Sequence, residues 1–126
     1  MSDESERETQ NLGIAILGIY TLITRVCGFL PIPITLPDFA DNTLHGQEMI
    51  QAVTKVTEVI EDEPISEDLQ AGIWGGCLHW LSAAHLFSRY METGEHIVSL
   101  EIRINLVTGG EALGAAAREL IRSREE

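Results

Sequence analysis

The residues able to do chemistry in this chain are few and scattered. His79 and His85 are six positions apart in one apolar stretch. On a helix that spacing separates them by about 240°, so they cannot form the i, i+4 pair that grips a metal ion. His45 and His96 stand alone, and isolated histidines are ordinarily surface or hydrogen-bonded residues. Glu61, Asp62 and Glu63 form a carboxylate run before Pro64. Catalytic carboxyls need differing environments to split their pKa values, whereas a run in a turn is solvated, so all three are expected to face water. The stretch Thr108-Gly-Gly-Glu-Ala-Leu-Gly114 has the glycines of a phosphate loop without its Gly-Lys-Ser/Thr ending. Glu111 would repel the ligand, and the stretch reads as a turn that starts a helix. Ser66, Ser82, Ser99 and Ser123 have no glycine elbow and no base near them in sequence. Cys27 and Cys77 lie in apolar surroundings far from a second thiol, which predicts buried free thiols, not a disulfide or a zinc site. The expectation is therefore a protein that is not an enzyme, with no catalytic, cofactor or metal site.

The charge balance limits the partners. Twenty Asp and Glu oppose eight Lys and Arg, of which Lys55 is the single lysine, for a formal net charge of -12. Binding to a phosphate backbone requires Lys and Arg to displace counterions, so specific nucleic-acid binding is not expected. Dense carboxylates are tolerated where salt screens them, which points to a halophilic source. With 126 residues and 44% hydrophobic residues, the chain is long enough for one modest core and too apolar to be disordered.

The elements that must position these residues follow from patterning. Residues 1–10 carry Asp3, Glu4, Glu6 and Glu8 without an apolar anchor; they read as an acidic flexible arm, and because a secretory signal would be basic there, no cleavable signal is expected. Residues 11–126 read as a single helical domain. Its first helix, about 11–29, is stopped by Pro31 and Pro33, and Pro31 to Pro37 must be extended. A half-buried helix follows over about 44–60, with Met49, Ile50, Val53, Val56 and Ile60 on one face. The next, about 66–91, opens on Ser66 as N-cap with Glu67 and Asp68 in its first turn, and stops at Thr93-Gly94. From Ala71 to Phe87 it has almost no polar face, so it should be buried on all sides, and Gly72, Gly75 and Gly76 suggest close approach of another backbone. A last helix over about 110–123 ends in Arg118, Arg122 and Arg124.

Between the last two helices, Val98, Leu100, Ile102, Ile104 and Leu106 alternate with Ser99, Glu101, Arg103 and Asn105. The period of two predicts a half-buried strand over about 97–107. A lone strand exposes unpaired N–H and C=O groups, and the proline-flanked Ile32–Leu36 stretch is a poor partner, so pairing between chains is expected. The fold class is thus mainly α, a small helical bundle with one amphipathic strand paired between subunits. The candidate subunit interface comprises Trp74, Trp80 and Phe87 of the apolar helix with Val98, Leu100, Ile102, Ile104 and Leu106 of the strand. The alternative is a small membrane protein with spans near 11–30 and 71–87. Arg25, its neighbours Thr21 and Thr24, and Gly13, Gly18 and Gly28 weigh against the first of these, so a membrane partner is not favoured.

Two stretches carry a resemblance. Leu36-Pro-Asp-Phe-Ala-Asp41, followed by the helix through Ile50, Ala52 and Val53, is similar to the proline-acid-phenylalanine opening of the small head-to-tail adaptor, or connector, proteins of tailed viruses of bacteria and archaea. Leu78-His-Trp-Leu-Ser-Ala-Ala-His-Leu-Phe87 resembles the alanine-histidine-leucine stretch of that family's central helix, and a stop and a return strand follow. The resemblance covers about residues 36–107. It implies a structural virion protein at the head-tail junction, a homo-oligomeric ring seated on the portal protein and touching other tail-neck proteins, with DNA passing through its opening. It also implies that His85 packs within the central helix and is not a ligand. The apolar segment from Asn11 to Leu30 departs from the family's pattern.

Overall fold

A computed structural model describes residues 3–38 and 46–125. The described chain is mainly helical, with four α-helices, a short 3-10 turn and, among the described residues, no strand. Helix α1 spans Asp3–Phe29, α2 Gly46–Val59, α3 Glu67–Thr93 and α4 His96–Glu125, and the 3-10 turn is Ile60–Asp62. Phe39, Ala40 and Asp41 of the first resembling stretch, the expected start of the second helix at Leu44, and His45 lie outside the described residues.

Helix α3 is the centre of the bundle, and the other three pack on it. Its ends are set locally. The Ser66 hydroxyl accepts from the Leu69 N–H at 3.2 Å, and Gly94 adopts φ +65°, donating its N–H to the Tyr90 carbonyl at 2.8 Å. A left-handed residue is the common terminator of a helix, and glycine adopts it without a Cβ clash. The chain then reverses directly into α4, so His79 meets Asn105 at 2.9 Å while Gly76 faces Leu113. The two helices are antiparallel. Their crossing is close because it is made of glycines: a Cβ on Gly76 would lie 2.5 Å from Leu113 Cγ, and one on Gly109 would lie 3.1 Å from the Gly76 carbonyl oxygen.

Helix α1 lies beside α4 in the same direction, with Glu8 on Arg103 at 2.6 Å and Arg124 5.5 Å from the Phe29 ring centroid. It turns Leu12, Ile16, Tyr20, Ile23, Val26 and Cys27 inward at helical spacing. Tyr20 and Trp80 stack tilted at 5.7 Å, and the Trp80 indole N–H donates to the Ile16 carbonyl at 2.9 Å. After Phe29 the chain runs back along α1. Ile34 donates to the Cys27 carbonyl at 3.0 Å and the Tyr20 hydroxyl donates to the Pro37 carbonyl at 2.6 Å. The three prolines there lack N–H donors, so side-chain anchors such as Tyr20 hold the segment where a ladder cannot.

Several expectations are corrected. Residues 3–10 are the first turns of α1, not a flexible arm, and Glu8 ties them to α4. Residues 97–107 are helical, the first half of α4, not a strand. Gly109 and Gly110 lie within that helix and start nothing. The Ala71–Phe87 face is not buried on all sides, since Trp74 and Leu78 are exposed. Gly72 and Gly75 have open space around them, and only Gly76 of the three glycines makes a close approach.

Candidate interaction surface

The expected interface residues divide between core and surface. Trp80, Val98, Ile102 and Leu106 are buried within the bundle, so they are core residues of this subunit and unavailable to another. Trp74 is 49% exposed, Leu100 45% and Ile104 61%, and Phe87 is partly buried. The division follows from helical geometry. Residues 98, 102 and 106 advance about 40° per step on a helix and form one stripe, while 100 and 104 fall on the opposite side.

That opposite side holds more than the alternation showed. Ile97 is 58% exposed and Val107 57%, so Ile97, Leu100, Ile104 and Val107 recur at intervals of three, four and three residues along α4. This is the seam spacing by which one helix packs on another. A reading at period 3.6 would have found Ile97 and Val107; reading at period 2 hid them. Glu101 and Thr108 flank the stripe on one side. Arg103 lies on the other side, held by the Glu8 carboxylate.

A second apolar surface opens where α1, α2 and α3 meet, a groove of about 570 Å³ walled by Ile14, Leu17, Ile50, Ala84 and Phe87 above the buried Trp80. Gln10, Gln47 and Ser88 form its rim, and no charged side chain lines it among the described residues. Ile14 is its most exposed wall, at 68%. No single stretch of sequence marks the groove, because each helix supplies only part of it.

The titratable candidates have structural roles. Glu63, expected to face water, is buried: its carboxylate accepts from the Ile32 N–H at 3.0 Å, and its carbonyl accepts from the Gln70 side-chain amide at 3.0 Å. Glu61 and Asp62 are exposed, as their position before the proline implies. Cys27 and Cys77 are buried free thiols, as their apolar surroundings imply, and burial pushes each up to about 12, with Glu63 adding to the effect on Cys27. Such thiols are protonated and poor nucleophiles at neutral pH. Burial, with Asp38 nearby, also raises Tyr20. His79 pairs with Asn105, whereas His85, expected to pack, is exposed. Among the described residues no three His, Cys, Asp or Glu side chains gather as metal ligands. What this geometry presents to the outside is two apolar surfaces on a strongly acidic molecule. Comparison of the chain with protein families, with curated proteins and with solved structures finds no match.

Proposed function

We propose that this chain is a structural assembly subunit, a head-to-tail adaptor that forms an oligomeric ring between the capsid portal and the tail of a tailed virus. The observation that carries the assembly part is the second apolar face of α4, Ile97, Leu100, Ile104 and Val107, which no part of the described chain covers. Exposed apolar side chains at coiled-coil spacing lower their free energy by packing against another helix. The viral setting rests on the resemblance of Leu78–Phe87, which lies on the central helix α3. A net charge of -12 fits a channel wall past which DNA slides without sticking. It also fits a source rich in salt. In this reading no reaction is catalysed and no cofactor is needed; the work is geometric.

The test is the mass of the purified chain by light scattering without detergent, in low and in high salt, followed by electron microscopy for rings and a binding assay against the portal protein of the same virus. Discrete rings that bind the portal support the proposal. A chain that is monomeric under all conditions and ignores the portal overturns it.

One observation favours a second reading. Helix α1 alone among the described helices is long and apolar enough to cross a bilayer, and most of its apolar stretch is not buried in the bundle. Helix α3, the other expected span, is not among them. A membrane protein would leave solution without detergent, which the same mass measurement reads directly.

A further inference from the structure

The two apolar surfaces are comparable in length. The α4 stripe from Ile97 to Val107 is about 15 Å of convex helix, and the groove runs about 11 Å along α1 from Gln10 to Leu17 and about 12 Å along α3 from Trp80 to Ser88. An amphipathic helix laid in a groove uses anchors at this i, i+3, i+7 spacing. The surfaces lie on opposite sides of α1: Glu8 and Ile19 meet α4, whereas Ile14 and Leu17 line the groove. A molecule therefore cannot fill its own groove with its own stripe. Charge agrees with this pairing. In a chain of net charge -12, the groove's described walls and rim carry no charge, so among the described residues the contact brings no carboxylates face to face.

We propose that the Ile97, Leu100, Ile104 and Val107 stripe of one copy seats in the α1–α2–α3 groove of the next copy. Pairing stripe with stripe would be isologous and would leave the groove bare. Pairing stripe with groove is heterologous, joins copies head to tail, and closes into a ring when the rotation permits. The stripe offers on the order of 400 Å², the size of the largest apolar patch on a typical single chain, against about 800 Å² per partner in a standard stable complex. One such contact is weak, and a closed ring in which every copy makes it twice is the stable product. This inference rests on the assembly reading above and supplies its contact.

Complementation tests it. Leu100→Gln with Ile104→Gln removes the stripe, and Ile14→Gln with Ala84→Gln strips and plugs the groove; both pairs leave the net charge unchanged, and circular dichroism checks that each variant keeps its helices. Each variant alone is expected to run as a single chain by light scattering in high salt, where the unaltered protein assembles. Mixed in equal amounts they should give a species of two chains and no larger one, whose share rises with concentration because the single contact that joins them is weak. A groove variant that assembles like the unaltered protein, or a mixture that stays single-chained at every concentration up to the millimolar range, overturns the proposal. Rings untouched by either variant would refute this contact while leaving the adaptor reading intact. Complementation without portal binding would do the reverse.

Discussion

Glu63 shows how much a single side chain can carry. The Pro31–Pro37 return leg has few donors with which to fix itself, and the Glu63 carboxylate takes one of them, the Ile32 N–H. Glu63→Ala leaves that N–H without its acceptor beside a vacated site, and a cost of about 1–3 kcal/mol in urea unfolding is expected. Glu63→Gln keeps an acceptor oxygen and should lose a smaller part of it. An alanine variant as stable as the parent would show that the contact does not fix the return leg. The thiols make a separate prediction. Cys27 and Cys77 are raised to about 12 in the folded chain from 9.0, so between those values the unfolded chain sheds protons that the folded chain retains. Stability is then full below about pH 9 and falls as pH rises toward about 12. Chemical denaturation midpoints at pH 8 and 10.5 check the sign, and replacing both cysteines by alanine should flatten that part of the slope.

At the scale of the element, α4 is where sequence and structure part. The helices at about 11–29, 44–60 and 66–91 were legible because each has a breaker or a cap at an end: Pro31, Pro64, Ser66 and Gly94. The alternation from Val98 to Leu106 was not, because a period of two is ambiguous. On a helix, every second residue steps about 200°, so alternate apolar residues build two opposite stripes in place of one sheet face. The helix prevails because it satisfies its own backbone groups, where a lone strand would leave them open. The helix-propensity cost of Val98, Ile102 and Ile104 is only a few tenths of a kcal/mol each, which burial of Val98 and Ile102 outweighs. Val98, Ile102 and Leu106 of the expected interface are consequently core, while Leu100 and Ile104 belong to a longer exposed stripe. The α3–α4 crossing gives the matching prediction. Gly76→Ala must displace the buried Leu113 and should cost about 1–3 kcal/mol. Gly72→Ala, with open space around it on the same helix, should stabilise by about 0.5–1 kcal/mol. Equal effects at the two positions would mean that helix propensity, not the close crossing, governs both.

For the whole molecule the controlling quantity is the net charge of -12. It opposes both the compact fold and any contact between copies, and it acts over the Debye length, which shrinks from about 10 Å at 0.1 M salt to about 3 Å at 1 M. The apolar stripe and groove are not weakened by that change, since the attraction they provide is burial from water. Raising sodium chloride from about 0.1 to 1 M should therefore raise both the unfolding temperature and the solution mass. The two readouts separate the causes. If only the unfolding temperature rises, repulsion is relieved within the subunit and the apolar surfaces do not meet. If the mass rises and the stripe variant Leu100→Gln with Ile104→Gln stays single-chained in 1 M salt, repulsion was holding apart copies whose apolar faces fit. A mass that falls with salt would mean that ion pairs, and not these faces, join the copies.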